Sequence, residues 1–450
     1  MEERLEKRYG LFTAICMVVG IVIGSGIFFK TESVLTVTGG DAMTGVLGLI
    51  IVGVIMFICA YAFSIMAQKY EKVNGLVDYA EVAAGERYAY YLGWFSTFIY
   101  TPAITSVLGW LSARYTCVLF GFENPVTGPE CMLLAGVYLV ASYTINTLSP
   151  ALAGKLQVTG TVVKLIPLLL MAVVGTIVGL GNGQLASNFA AASTSAAGGA
   201  SGGLMTAIVA LAFAYEGWIL TTTINAELKD SKKNLPIALM LGSVIVVAVY
   251  VFYYLGICGA ISIEELMATS SQQAFINTFG NVFGTLLTVF IIISCACTMH
   301  GLMLASVRNM YSIAARGHGP LPEVFSRIDP ATNMPNNSCV MGLLLSLIFL
   351  AYFYGANLAP TPWFGWFCFD SSELPIVTLY AFYIPVFASM MKDKSEGVFK
   401  RYIVPVAAIA CCFLIIYAAF VAHGKAIPAY LIIFAVVMLA AVPFYKKKAA

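Results

Sequence analysis

Hydrophobic and polar positions do not alternate along this chain; they come in blocks. Apolar residues gather into twelve long runs, at 11–37, 44–67, 88–120, 131–149, 155–180, 203–226, 235–260, 275–315, 338–356, 370–391, 402–421 and 426–444, and most charged residues fall between them. A helix needs about 20 apolar residues to cross the hydrocarbon core of a bilayer, and each run is of that order. A run that is apolar on every face belongs to a helix surrounded by lipid or by other apolar helices. The pattern therefore predicts an all-α integral membrane protein with twelve transmembrane helices.

Composition agrees. Of 450 residues, 60% are hydrophobic and 10% charged, whereas a soluble domain is roughly 25% charged. The distribution of charge says more than its sum. If the N-terminus lies inside, nineteen lysines and arginines fall on inner segments, among them Lys69, Lys72, Arg87, Lys155, Lys232, Arg316, Lys400 and Lys446, and only Lys425 falls on an outer loop. By the positive-inside rule both termini are expected in the cytoplasm, in a cell (inner) membrane protein. The charged stretch Met1–Arg8 precedes an apolar run too long for a leader, so that run is expected to be a first span. A net charge of +2 gives no reason to expect a nucleic-acid partner. Eleven cysteines are scattered without metal-like spacing, and His300, His318 and His423 share no cluster, so no metal or cofactor is expected.

Two runs are interrupted at their centres. The first reads Gly20-Ile21-Val22-Ile23-Gly24-Ser25-Gly26-Ile27-Phe28-Phe29, with poor helix formers where the bilayer is deepest. Unpaired backbone survives at that depth only where it lines a cavity or a ligand. Unwinding at Gly24-Ser25-Gly26 would free carbonyls on one half-helix and N–H groups on the other, an arrangement that suits a zwitterion. A small-residue packing face between helices is the competing reading. The sixth run repeats the peculiarity at Phe213-Ala214-Tyr215-Glu216-Gly217-Trp218, with a carboxylate at mid-membrane, which usually marks a cavity or relay. Interrupted helices at matching places in successive five-span units point to an inverted-repeat transporter with a midplane site. The units would be residues 11–180 and 203–391, with two further spans at 402–444. The low-complexity stretch at 190–203 is expected to be a mobile outer loop.

These residues resemble a known group. Gly24-Ser25-Gly26-Ile27-Phe28, Phe213-Ala214-Tyr215-Glu216-Gly217-Trp218, Asn234-Leu235-Pro236-Ile237-Ala238 and the Gly-His-Gly-Pro-Leu-Pro stretch at 317–322 resemble signatures of the amino acid–polyamine–organocation superfamily. Lys164, in Lys164-Leu165-Ile166-Pro167, is similar to the fifth-helix lysine of its L-type amino acid transporter branch. The resemblance implies a leucine-transporter-like fold of five plus five inverted spans, with unwound first and sixth helices and two C-terminal helices. It implies that the N–H groups of Ser25, Gly26 and Ile27 receive a substrate carboxylate. Carbonyls of Val22, Phe213 and Glu216 would receive the ammonium, beside Ala214, with Phe213 closing over the substrate. It also implies that Lys164 bridges the carbonyls of Gly20 and Ile23 to Thr298, near Ser294, where sodium-coupled relatives hold an ion. Glu216 departs from several relatives, which have glycine or an aliphatic residue there.

Alternatives stand beside these assignments. Lys164 costs roughly 2.5–3.5 kcal/mol at mid-membrane unless paired, and an amine neutralised by burial would also satisfy the sequence. Glu216 reads equally as a cavity group, favouring cationic substrates or carrying a proton, and as a buried carboxyl bonded to a neighbouring helix. Arg114 is expected to snorkel outward, and Asp370 and Glu373 to cap span ten or line a vestibule. The expected function is sodium-independent exchange of small neutral L-amino acids, with proton-coupled symport as the alternative and a sensor or channel on the same scaffold behind them. The chain has no GxSxG or HExxH motif and no nucleotide-binding loop, so an enzyme is not expected. Eukaryotic relatives attach a heavy-chain glycoprotein through a cysteine in the loop after span three. Here residues 121–130 contain none, Cys131 being expected within span four, so an unpartnered, bacterial-type carrier is expected.

Overall fold

The computed structural model describes residues 7, 9–70, 75–195, 200–269 and 271–446. Among these the structure is helical, with two isolated bridges, Tyr9 with Leu228 and Asp329 with Met334, in place of any strand. Eleven helices are long and apolar enough to cross a membrane: Leu11–Val37, Ala42–Lys69, Glu86–Phe120, Pro129–Leu148, Lys155–Gly181, Gly203–Thr222, Ser231–Ala260, Ser271–Ala315, Asn336–Leu358, Phe399–His423 and Ile427–Phe444. A twelfth apolar helix, Leu374–Met390, has 17 residues, at the short end of what spans. Counted in chain order, with Leu374–Met390 as the tenth, these are spans 1 to 12.

Spans 1, 3 and 6 form the inside of the bundle. In their most apolar stretches 71, 78 and 72% of residues are buried, against 33% for spans 4 and 9 and 22% for span 12. The outer spans turn Leu133, Val137, Leu344, Ile348, Val436 and Leu439 outward, a surface that would aggregate in water and that hydrocarbon solvates. Lipid supplies no hydrophobic force between helices, so close association falls to small residues. Gly175 and Gly179 of span 5 meet Gly256 and Gly259 of span 7, and a side chain added at any of the four would run into the facing backbone.

The structure departs from the expected elements in four places. Span 1 breaks at Ile23 and Gly24 rather than over Gly24-Ser25-Gly26, so Ser25 and Gly26 open the second half-helix. Gly26 is small for packing and not for unwinding: a Cβ there would lie 2.5 Å from Ala214 Cα. Span 6 does not resume as α-helix after its break but continues as a 3-10 helix, Trp218–Glu227. Its run of Ile219, Thr221 and Thr222 is poor in helix propensity, and Thr222 Oγ1 donates back to the Ile219 carbonyl at 2.6 Å. Residues 190–195, expected in a mobile loop, belong to a helix, Gln184–Ser195, and 196–199 lie outside the described residues. Span 8 also begins earlier than expected, at Ser271, and turns at Gly280 (φ 81°).

Candidate functional site

The first half of span 1 ends at Val22 and the second begins at Ser25, with Ile23 and Gly24 extended between them (φ −71°, ψ 96° and φ −133°, ψ −146°). A helix start leaves its first N–H groups without intrahelical partners, and those of Gly26 and Ile27 bond to no group among the described residues. With the positive end of the half-helix dipole they form a seat for an anion. In span 6 the α-helix ends at Ala214, and a turn over residues 215–217 closes on Gly217 at φ 101°. Glycine is required there twice over, by the left-handed backbone and by Ile21, whose Cγ2 would be 2.6 Å from an added Cβ.

The two breaks are tied together. The buried Tyr250 hydroxyl of span 7 lies 2.9 Å from the Val22 carbonyl and 2.8 Å from the Ala214 carbonyl, and shares its proton between the last carbonyls of the two first halves. Beside them a cavity of about 20 Å³, lined by Val22, Gly24, Gly26, Phe213, Glu216 and Thr298 with Ile21, Ile104, Leu108 and Leu302, has room for about one water. Glu216 is 6% exposed; its Oε1 accepts from the Tyr100 hydroxyl at 2.5 Å, and its Oε2 has no partner among the described residues. The site thus offers N–H groups from one break and an uncommitted carboxyl oxygen from the other.

Of the carbonyls that the resemblance assigns to an ammonium, that of Val22 is held by Tyr250, and that of Phe213 accepts the Glu216 N–H at 3.3 Å. Each keeps a second lone pair. Behind the first half-helix, fully buried Lys164 donates from Nζ to the Gly20 carbonyl and to Thr298 Oγ1 at 3.3 Å. Its hydrogen bonds do not include Ile23, and Ser294 Oγ, close by in span 8, is buried with no partner among the described residues. Neutral acceptors therefore hold this amine, and no carboxylate pairs with it among the described residues.

Residues 9–442 match the amino acid permease family. The chain belongs to the amino acid permeases. This permease is similar to the serine/threonine exchanger SteT of Bacillus subtilis (strain 168), at 27% identity over 406 residues, 89% of this chain and 87% of that one. It is similar to the cystine/glutamate transporter of Homo sapiens, at 25% over 349 residues, 77% and 68% of the two chains. It is also similar to the b(0,+)-type amino acid transporter 1 of Oryctolagus cuniculus, at 27% over 329 residues, 70% and 64% of the two chains. A crystal structure of MhsT in complex with L-phenylalanine matches the permease with a TM-score of 0.61 at 13% identity, over 97% of this chain and 99% of that one. The likeness shows a shared, leucine-transporter-like fold. The permease is a transporter of amino acids and not an enzyme.

Several residues at the permease's site carry no signature that sequence reasoning found. Tyr100 and Tyr250 are ordinary aromatic residues in apolar runs until the fold sets them against the breaks. Lys30, in the second half of span 1, has Nζ 2.5 Å from Glu373 Oε1 and 5.3 Å from the centre of the Phe213 ring. His423, to which the sequence assigned nothing, lies 2.7 Å from Glu373 Oε2. A cation within an apolar run was the available signal for Lys30. Asp370 does cap the turn before span 10, accepting from the N–H groups of Ser372 and Glu373 at 2.7 and 3.1 Å. Arg114 stacks 5.4 Å from the Phe29 ring centre and 5.8 Å from that of Trp110.

Proposed function

We propose that this permease exchanges small neutral L-amino acids across the cell membrane by alternating access, without sodium. Lys164 carries the reading. Its ammonium joins the first half of span 1 to span 8 through Gly20 and Thr298, and a cation supplied by a side chain cannot dissociate as a bound ion does. In the proposed pose the carboxylate rests on the N–H groups of Ser25, Gly26 and Ile27, and the ammonium on free lone pairs of Val22, Phe213 and Glu216. Phe213 closes over the substrate. Residues 11–180 and 203–391 serve as the two inverted repeats, with 402–444 as accessory spans. The lysine and arginine distribution supports both termini in the cytoplasm. No heavy-chain partner is part of the reading, because residues 121–130 hold no cysteine and Cys131 is buried inside span 4.

One observation favours a second reading. An amine held only by neutral acceptors leaves no carboxylate unpaired when it loses its proton, so a Lys164 that cycles a proton would make the permease a proton symporter. Lys164→Ala in proteoliposomes separates the two. Counterflow of a radiolabelled amino acid should fall strongly, while the ratio of unidirectional flux to exchange rises, because the empty carrier would turn more freely. Wild-type uptake that follows a sodium gradient would defeat the proposal, and uptake driven by protons without internal substrate would favour symport.

A further inference from the structure

A second cleft, of about 330 Å³, lies at the end of the bundle where spans 2 and 10 finish and span 11 begins. That is the size of a small-ligand site, roughly 300–1,000 Å³. One wall is apolar, with Ile65 and Met66 of span 2, Val82, and Met390 of span 10. The other is charged. Lys69, the last residue of span 2, pairs with Asp393 and lies 2.9 Å from Glu396 Oε1, so one ammonium engages both acids of the linker 391–398. Two further lysines in the lining are then in excess: Lys392 is exposed, and Lys400 lies 3.9 Å from Glu396 Oε2. From the cleft an apolar strip runs along span 11, where Phe399, Ile403 and Val406, at spacings of four and three, are exposed. The Phe399 ring meets Tyr61, two helical turns deeper in span 2 than Lys69, with ring centres 6.4 Å apart.

We infer that this cleft binds the headgroup of an anionic phospholipid, with the phosphate on Lys392 and Lys400 and an acyl chain along Phe399, Ile403 and Val406. Lysines that face open water hold an anion weakly, because solvent and salt screen the charge. Here an apolar wall keeps water from one side of the cleft, and the acids that would repel an anion are taken up by Lys69. The positive-inside rule accounts for cations at this end of the bundle, but not for a cleft that sets them beside an apolar strip. A soluble phosphate would use the charged wall alone, whereas a lipid uses both, and this assigns the occupant to the membrane. A zwitterionic headgroup brings a positive group that the two lysines repel, so a net negative one is favoured. Lys392 follows the last turn of span 10 and Lys400 opens span 11, so one phosphate ties both ends of the linker. On the proposed orientation this end meets the cytoplasmic leaflet, whose surface is negative; binding in detergent does not depend on that orientation.

The probe is short-chain phosphatidylglycerol, added to the full-length permease purified in detergent, with binding read by native mass spectrometry and by thermal shift. Saturable binding is expected, and phosphatidylcholine of the same chain length should bind about fivefold more weakly. Replacing both lysines, Lys392→Gln with Lys400→Gln, should weaken phosphatidylglycerol binding by about tenfold, the scale of two basic contacts to an anionic lipid. Lys425→Gln, on a loop at the other end of the bundle, should leave it unchanged. Where the double variant does not yield folded protein, Glu396→Gln reads the same balance with the opposite sign. It removes an acid, leaves Asp393 on Lys69, and should tighten binding by about threefold. Inorganic phosphate and glycerol 3-phosphate at the same concentration should give no shift. A response to them equal to that of the lipid would make the cleft a site for soluble anions and overturn the lipid. Equal binding of the two lipids would overturn recognition by charge. Affinity unchanged by loss of both lysines, or not raised by Glu396→Gln, would overturn the site.

Discussion

The breaks in spans 1 and 6 lie side by side, yet they are made differently and offer different chemistry. Span 1 stops for two residues and starts again as a full α-helix, so its second half presents fresh N–H groups and a positive dipole end. Span 6 stops at Ala214, turns at Gly217 and continues as a 3-10 helix, and what it turns toward the cavity is a side chain, Glu216. Backbone N–H groups are the same whatever the residue, so the first break suits the part common to all amino acids. A carboxyl with one oxygen tied to Tyr100 and the other uncommitted suits a part that varies. In the proposed pose, binding of the class would fall to span 1 and choice within the class to span 6.

The heaviest test of this division falls on span 1. Gly26→Leu should weaken binding of every amino acid by more than about tenfold, or 1.4 kcal/mol. Because even a Cβ there meets Ala214 Cα at 2.5 Å, Gly26→Ala should follow the same direction more mildly. Affinity is read on purified, monodisperse protein by substrate-dependent thermal shift; unchanged affinity would place the carboxylate elsewhere. Glu216→Gln keeps size and removes charge, and should alter ranking rather than strength. Amino acids whose side chains carry a hydrogen-bond donor should compete about tenfold less well in counterflow, a loss on the order of one charge-assisted hydrogen bond, with aliphatic ones little changed. A uniform loss across the panel would erase the distinction between the breaks. The smallest effect is expected at the residue they share. Tyr250→Phe leaves both Val22 and Ala214 carbonyls without their donor and should lower thermal stability by about 1 kcal/mol, with the ranking of substrates intact.

How much of this was legible beforehand follows from what kind of interaction each feature rests on. The spans were, because hydrocarbon demands long apolar runs and their register is read directly from composition. The breaks were, because glycine and a carboxylate at mid-membrane contradict a simple span; yet the point of rupture fell at Ile23 and Gly24 because Gly26 was needed against Ala214, a partner 188 positions away in the chain. Lys164 with Gly20 and Thr298 was legible through resemblance, and Ile23 does not join them. Tyr100, Tyr250 and His423 were not legible. A tyrosine or a histidine in an apolar run is ambiguous until three-dimensional packing decides which backbone or side chain it faces. The 3-10 course of span 6 beyond Trp218 was hidden for a related reason: its threonines tolerate several backbone forms, and the tertiary setting chose among them.

The glycine seam between spans 5 and 7 has a mechanical consequence. At Gly175, Gly179, Gly256 and Gly259 backbone lies against backbone, with no side chain at those positions to act as a bearing or spring. The pair is a stiff double beam, and it carries two grips on the same short rod: Lys164 on Gly20 from one member, Tyr250 on Val22 from the other. Displacing the first half of span 1 therefore means letting go of both grips or swinging the whole beam. Any shift of that half-helix is thus felt by both members of the span 5–span 7 pair at once, through one side chain from each.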